Sequence, residues 1–216
     1  METRFRVLRA RGVEVSGTGE RWTLGPGDTY TVGPTDRHRL TIEEDTHLVC
    51  VFSPALTGDE AHDADGAYGT SGDPVTAGPG RMFVRTLEGL RGEGRERSVA
   101  GSDSRSIRIL LKADDVGFTL CDVRLAPDSR HTFWYRNHWE ANYILAGNGA
   151  VTDPGNGARF ELAPGSMYVV GPEDRHTIEA TDDLHLLSVF NPPLVGDETH
   201  DADGALPPSG PLPPGP

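Results

Sequence analysis

Alternating residues and closely spaced turn signals between positions 138 and 176 constrain this chain more than any other feature. Residues 139–146 alternate with period two, which is typical of a β-strand rather than a helix. The clusters at 147–149 and 153–157 then supply glycine, asparagine and proline, which favour tight turns. Short strands are predicted to follow at 159–162, 167–170, 176–179 and 184–190. Their spacing predicts an all-β barrel or sandwich.

The same stretch places a carboxylate, a phenol and an imidazole on separate predicted strands, each able to point inward. Converging oxygen and nitrogen donors make this a candidate metal site. Upstream, residues 104–111 and 117–125 also alternate as strands, with 112–115 as their turn. The core motif therefore has the strands it needs to close a barrel.

An internal repeat sets the organisation of the chain. Residues 26–38 recur 138 positions later as 164–176, and residues 45–67 recur at the same offset as 183–205. Upstream of the strand that carries residue 140, the second copy has sequence that the first copy lacks. The first copy is thus the second half of one module.

Four segments follow from the repeat and from composition. Residues 1–69 are predicted to be a truncated half-module, and 70–81 a linker rich in Gly, Pro, Ser and Thr. Residues 82–205 form the complete module. The Pro-rich tail, 206–216, cannot join a sheet and is expected to be extended or disordered.

The complete module resembles the ectoine synthase family, whose members have a cupin fold and close a cyclic amidine ring by dehydration. The resemblance is carried by four motifs: MFVRTLE at 82–88, WYRNHWEA at 134–141, VFNPPL at 189–194 and GDETHD at 196–201. It implies a cupin-type jelly-roll barrel, with the first copy as a partial second cupin module.

The resemblance also implies a metal centre formed by Glu140, Tyr168 and His176. Three ligands leave open coordination positions, through which a metal can polarise a substrate carbonyl. Oxygen-rich ligation that includes a phenolate favours Fe(II), with zinc and manganese as alternatives.

In the family the substrate is N-γ-acetyl-L-2,4-diaminobutyrate, an amino-acid-derived small molecule. The resemblance makes Glu198 and His200 candidates for proton transfer or for binding the charged end of the substrate. Tyr135 is a candidate hydrogen-bond donor, and Phe190 a candidate apolar wall. Because the first copy keeps Glu60 and His62 in the same motif, Glu198 and His200 have a structural alternative, such as bracing the loop across the interface between the copies.

Three positions depart from the family pattern. Ser104 stands where the family has a substrate-facing Trp, Val123 where it has an active-site Thr, and Ser188 where it has a Cys. These substrate-binding candidates leave open a cupin enzyme of a specialised pathway with another amino-acid-derived substrate. A non-catalytic cupin that binds a small polar ligand, or a regulator, is the alternative from a different class.

The first copy lacks part of the implied metal centre. Along the repeat, Thr3 takes the position of Glu140, and Glu2 is the nearest carboxylate, so Tyr30 and His38 have no third ligand. Since a half-barrel leaves sheet edges uncovered, we expect it to pack as an intrachain pseudo-dimer or within a homodimer.

Charge and cysteine content exclude several partners. The net charge is −13 without a basic cluster, which argues against nucleic acid and anionic membranes, and no apolar run is long enough to span a bilayer. Cys50 and Cys121 stand alone in apolar strands, which predicts reduced core thiols in a cytoplasmic protein.

Overall fold

Antiparallel β-strands account for nearly all regular structure in the protein. The computed structural model describes residues 2–9, 13–17, 19–64, 66–68, 82–99 and 102–213, with the backbone alone for 2–9 and 13–16. The predicted all-β, cupin-type class is confirmed. Two compact units divide between Gly89 and Leu90, within the short helix α1 (Leu87–Gly92).

Unit 1 (residues 1–89) contains a four-stranded sheet in the order β6-β1-β4-β7 and a three-stranded sheet in the order β3-β2-β5. Its strands are β1 (Glu2–Arg9), β2 (Val13–Gly17), β3 (Glu20–Leu24), β4 (Thr29–Val32), β5 (His38–Ile42), β6 (His47–Ser53) and β7 (Phe83–Arg85).

Unit 2 (residues 90–216) contains a six-stranded sheet, β15-β12-β17-β10-β9-β8, and a four-stranded sheet, β11-β16-β13-β14. A 3₁₀ turn (Lys112–Asp114) separates β9 from β10. The strands are β8 (Glu96–Ser98), β9 (Arg105–Leu110), β10 (Thr119–Leu125), β11 (Arg130–Phe133), β12 (Trp139–Ala146), β13 (Gly149–Thr152), β14 (Arg159–Leu162), β15 (Met167–Val170), β16 (His176–Ala180) and β17 (Leu184–Asn191).

Strand register shows that the repeated segments fold alike. In unit 1, Thr3 lies opposite Val32 on one side and Phe52 on the other. In unit 2, Glu140 lies opposite Val170 and Phe190, the counterparts of those two residues. In the first copy, Thr3 therefore occupies the strand position that Glu140 occupies in the second copy.

Strand β7 belongs to unit 1, although the family-like second module begins with it in sequence. It pairs antiparallel with β4, with Val84 opposite Tyr30. Met82 is buried in the core of this unit together with Leu24, Tyr30 and Val32. The predicted linker, 70–81, lies outside the described residues.

The two cysteines differ in burial. Cys121 is buried in the core of unit 2, as predicted, whereas Cys50 is exposed, so the prediction of two core thiols is wrong for Cys50. Its counterpart in the repeat, Ser188, is buried because β10 pairs with β17. Strand β6, which carries Cys50, is instead the terminal strand of its sheet.

The start of the Pro-rich tail is anchored to unit 2, outside the sheets. Leu206 is part of the hydrophobic core. The Ser209 hydroxyl lies 3.0 Å from His138 Nε2, and the Ser209 carbonyl accepts a hydrogen bond from Lys112. The tail is thus held over 206–209 rather than disordered there.

No helix in the described ranges is long and apolar enough to cross a membrane.

Candidate active site

A cavity of about 250 Å³ opens in unit 2 between its two sheets. All residues predicted to form the site line it except Ser104: Val123, Tyr135, Glu140, Tyr168, His176, Ser188, Phe190, Glu198 and His200. The cavity therefore brings together predicted site residues that lie up to 77 positions apart, from Val123 to His200.

Strand pairing explains why the polar members meet. Asn142 on β12 lies directly opposite Tyr168 on β15 and Ser188 on β17. Ser188 lies opposite Cys121 on β10, which in turn lies opposite Arg108 on β9. Because neighbours across a sheet share one face, these residues form a single row along the cavity floor.

Tyr168, at one end of this row, is one of the three predicted metal ligands, and the other two lie close to it. Glu140 lies two residues from Asn142 and so points to the same face. His176 Nε2 is 3.9 Å from Glu140 Oε2, and both side chains are buried. The rings of Tyr168 and His176 are edge to face, with centroids 6.1 Å apart. One carboxylate, one phenol and one imidazole thus face a common space.

The turn before β16 fixes the protonation pattern of His176. Its Nδ1 lies 3.2 Å from the Asp174 carbonyl, which can only accept, so Nδ1 carries the proton. Burial lowers the pKa of His176, which favours the neutral ring. Nε2 then presents a lone pair, and it is buried without a hydrogen-bond partner among the described residues. Such an imidazole is arranged to bind a metal.

The oxygen donors also fit a cation. Burial raises the pKa of Glu140 to about 7, against the opposing effect of Asn142 and Ser188. Burial, followed by the charge of Glu140, raises the pKa of Tyr168 well above its usual value. A divalent cation would offset the cost of ionising these buried groups. Among the described residues no three His, Cys, Asp or Glu side chains cluster, so the donor set depends on the Tyr168 phenol.

Arg108 is a cavity residue that the sequence analysis missed. Its guanidinium donates to the Glu198 carboxylate (2.9 Å) and to the Glu198 carbonyl (2.8 Å), and both side chains are buried. The partners are 90 positions apart, so spacing gave no indication of the pair. An arginine in an alternating strand would ordinarily face solvent.

Glu198 is committed to hydrogen bonds within its loop. Besides Arg108, its carboxylate accepts from the backbone N–H groups of Gly196 (2.8 Å) and Val195. Burial opposes ionisation, but these N–H groups and Arg108 prevail and lower the pKa of Glu198. In unit 1 the Glu60 carboxylate accepts from the backbone of Thr57 and Gly58 in the same way. This arrangement favours a structural role of the motif, in which the carboxylate braces its own loop rather than an interface between the copies.

His200 and Tyr135 form a hydrogen-bonded pair in the cavity. His200 Nε2 lies 3.1 Å from the Tyr135 hydroxyl. Burial, with the nearby charge of Arg108, lowers the pKa of His200 to about 4. Burial raises the pKa of Tyr135 well above its usual value. Both groups are therefore neutral at neutral pH.

The three departures from the family pattern lie in different places. Val123 and Ser188 line the cavity, and the Ser188 hydroxyl donates to Asn142 Oδ1. Ser104 is buried apart from the cavity lining, where its hydroxyl lies 3.1 Å from His131 Nε2 and accepts from the Ala126 N–H.

The corresponding residues of unit 1 form an incomplete version of the site. The rings of Tyr30 and His38 are 6.3 Å apart, and His38 Nδ1 lies 3.2 Å from the Asp36 carbonyl. The local turn is thus the same in both units. His38, however, is exposed, whereas His176 is buried.

Comparison with known proteins places the chain in a family. A model of ectoine synthase matches residues 1–72 and 82–210, which include both copies of the repeat. The L-ectoine synthase of Mycobacterium sp. (strain KMS) is 42% identical over 126 residues, covering 58% of this chain and 96% of its own length. That of Desulfosudis oleivorans is 42% identical over 125 residues, covering 57% and 95%.

Solved structures agree. The crystal structure of ectoine synthase from P. lautus superposes with a TM-score of 0.50 at 32% identity, over 53% of this chain and 81% of that one. The E. coli pirin YhhW, in complex with nickel(II), gives 0.58 at 17% identity over 90% and 73%, a likeness of fold alone. Since the family match covers most of the sequence, the chain belongs to the ectoine synthase family, whose named members are hydro-lyases.

Proposed function

We propose that unit 2 is a metal-dependent cyclodehydratase that closes a cyclic amidine from an N-acetylated diamino acid. N-γ-acetyl-L-2,4-diaminobutyrate is the first substrate to test. The observation that carries the proposal is the convergence of Glu140, Tyr168 and His176 in one buried cavity, with His176 Nε2 held as a lone-pair donor.

Fe(II) suits the mixed nitrogen and oxygen donor set best, and zinc and manganese are the alternatives. Glu140, Tyr168 and His176 would hold the ion. When bound, it supplies Lewis acidity that favours nucleophilic attack at the substrate amide.

The cavity walls orient the substrate for ring closure. Phe190 and Leu194 are buried, line the cavity and supply an apolar surface for the acetamide methyl group. In the reaction, the amine nitrogen bonds to the acetamide carbon, the carbon–oxygen bond breaks, and the oxygen leaves as water with two protons from the nitrogens. A site of about 250 Å³ would hold the amine and the acetamide close together, which favours ring closure.

The Tyr135–His200 pair moves the protons. Neutral His200 accepts the proton that the attacking amine loses. Tyr135 donates its hydroxyl proton to the leaving hydroxyl and takes a proton back from His200 through their hydrogen bond. Glu198 acts indirectly, because its carboxylate is occupied by Arg108 and by two backbone N–H groups. It holds the loop that carries His200.

A related amino-acid-derived amide is the second candidate substrate, favoured by Val123 and Ser188 in the cavity lining. Val123 has no hydroxyl that could form a hydrogen bond with a polar group of the substrate. Unit 1 is proposed to be a non-catalytic companion, because Thr3 occupies the Glu140 position and His38 is exposed.

Metal analysis joined to a turnover assay tests this function. The purified protein is loaded anaerobically with Fe(II), and amidine formation from the acetylated diaminobutyrate is followed by NMR. Tyr168→Phe should lose both metal and activity, while the matched Tyr30→Phe control should keep both. Full metal occupancy in Tyr168→Phe would refute the ligand set. A metal-loaded enzyme that converts neither this substrate nor its close amide analogues would refute the reaction.

A further inference from the structure

Asn142 is a buried cavity residue whose amide NH₂ group has no hydrogen-bond partner among the described residues. The side chain is 1% exposed and lines the cavity, and its Nδ2 atom is unpaired. Its Oδ1 atom, in contrast, accepts a hydrogen bond from the Ser188 hydroxyl. Buried polar groups are normally paired, because an unpaired one has lost its hydrogen bonds to water. An unpaired amide donor in a cavity wall therefore indicates a ligand that brings an acceptor atom.

The neighbours of the amide determine which way it faces. Because the Ser188 hydroxyl donates to Oδ1, the NH₂ group is on the other side of the amide. The amide lowers the pKa of Glu140, as a nearby donor does, although Nδ2 completes no hydrogen bond to that carboxylate. Asn142 also lies opposite Tyr168 in the neighbouring strand. The unpaired donor is thus held where the predicted metal ligands converge.

The repeat shows that this strand position does not require a polar residue. In unit 1, Phe5 stands at the position of Asn142 and pairs with Cys50, which stands at the position of Ser188. The same strand pairing therefore forms with an aromatic residue and a thiol. In unit 2 both positions are polar, and both residues line the cavity. The Asn142–Ser188 pair is thus a feature of the cavity rather than a requirement of the sheet.

We propose that Asn142 is a specificity-determining residue whose Nδ2 donates a hydrogen bond to a hydroxyl on the acyl group of the substrate. The preferred substrate is then a diamino acid acylated with a hydroxyacetyl group instead of an acetyl group. This inference rests on the proposed function and specifies its acyl group. The bonds formed and broken are unchanged: the amine nitrogen bonds to the acyl carbon, and the acyl oxygen leaves as water. The product carries a hydroxymethyl group where the acetyl substrate gives a methyl group.

The surroundings of the amide favour a neutral hydroxymethyl group over a charged substituent. In the proposed reaction the acyl group lies beside Glu140 and Tyr168. Phe190, opposite Glu140 in the neighbouring strand, supplies an apolar side against which the carbon can pack, while Asn142 supplies the polar side. An anionic substituent would be repelled by the Glu140 carboxylate, and an ammonium group would bring a donor to the Nδ2 donor. A hydroxyl can accept from Nδ2 and donate to a carboxylate oxygen.

Binding of two unreactive analogues tests the inference separately from catalysis. Neither 4-(hydroxyacetamido)butanoate nor 4-acetamidobutanoate has the α-amine, so neither can close the ring. Their dissociation constants are measured by titration calorimetry on the full chain, loaded anaerobically with Fe(II). The wild type should bind the hydroxyacetyl compound about 10- to 150-fold more tightly, because the acetyl compound leaves the buried donor unpaired. Tyr143→Phe, on the opposite face of β12, is the matched control and should keep this ratio.

A double variant distinguishes recognition from a structural role of the polar pair. Asn142→Leu/Ser188→Ala replaces both partners by apolar groups, which should cost little stability, and it should lower the ratio of dissociation constants to about one at equal metal content. A double variant that keeps the wild-type ratio would overturn the inference. So would a wild type that binds both compounds equally or binds neither, a result that requires no variant to fold. Turnover of the acetylated diaminobutyrate tests the proposed function independently, so the two failures are distinguishable.

Discussion

Replacement of Glu198 by Gln tests whether the Glu198 carboxylate braces its loop or takes part in catalysis. The Glu198 carboxylate accepts from Arg108 at 2.9 Å and from the Gly196 N–H at 2.8 Å, and it also accepts from the Val195 N–H. Gln keeps the volume but removes the charge, and its amide NH₂ would face groups that are themselves donors. Arg108 would be left buried without its anion.

The expected loss is large because the pair is buried. Removing one partner of a buried ion pair costs roughly 3–5 kcal/mol. In a protein of this size 1 kcal/mol shifts Tm by about 2–4 °C, so the unit 2 transition should fall by roughly 6–20 °C. Glu60→Gln, the matched change in unit 1, alters hydrogen bonds that are exposed, and should cost roughly 1 kcal/mol.

The pH dependence gives an independent check with a defined sign. Because the pKa of Glu198 is lowered in the folded protein, its contribution to stability is present above the pKa of the unfolded chain. That contribution is lost as the pH falls through the lower, folded pKa. The stability difference between wild type and Glu198→Gln should therefore shrink on acidification.

Thermal and urea unfolding, followed by near-ultraviolet circular dichroism, measure stability, and turnover is expressed per folded molecule. Glu198→Gln should be unstable but should retain turnover at temperatures where it is folded. If it is as stable as Glu60→Gln while kcat falls by more than about 100-fold, the carboxylate performs chemistry and the bracing argument fails.

Further predictions concern metal, substrate and companion unit. His176→Ala should lose the metal, measured by plasma mass spectrometry, yet keep the barrel by circular dichroism; retained metal would contradict the assignment. Val123→Thr with Ser188→Cys should raise kcat/KM for the acetylated diaminobutyrate about 10- to 150-fold if these residues set substrate choice, from roughly 1–3 kcal/mol of polar contact; an unchanged value would show that they do not. Because the pKa of folded His200 is about 4, stability should fall as pH drops from its unfolded pKa near 6.5 toward 4, and His200→Gln should remove that slope. A chain that begins at Met82 deprives β7 of β4 and should aggregate or change oligomeric state in light scattering; a stable, active monomer would show that unit 1 is dispensable.

Period-two alternation and turn chemistry predicted seven of the ten strands of unit 2 and missed β8, β11 and β13. The strand predicted at 159–162 is β14, and that predicted at 184–190 is β17 with one residue more. Both signals are local, since alternation reports which face is buried and Gly-Pro clusters report where the chain reverses. The repeat was equally informative, because equal register in both units follows from equal patterning.

Alternation and turn signals could not predict which segments distant in sequence contact one another. From sequence alone, Arg108 would be predicted to face solvent. In the structure it is buried, because β9 pairs with β10 and the loop that carries Glu198 contacts the arginine. Strand β7 has the sequence of the start of the complete module (82–205), but its hydrogen bonds are made in unit 1. Cys50 lies in an apolar run, yet β6, which carries it, is the terminal strand of its sheet in the described part of the chain. Each miss concerns a partner that sequence spacing does not specify.

Comparison of His38 with His176 shows which features of the histidine depend on the local turn and which depend on the surrounding strands. His38 and His176 follow the same turn and make the same Nδ1 contact, at 3.2 Å, to a carbonyl two residues earlier. The turn therefore orients the ring and selects its tautomer without help from the rest of the barrel. Only His176 is buried, because β11 pairs with β16 and places Phe133 opposite it. Lone-pair orientation is thus a property of the turn, whereas the burial of the His176 ring comes from the pairing of β11 with β16, which has no counterpart among the described strands of unit 1.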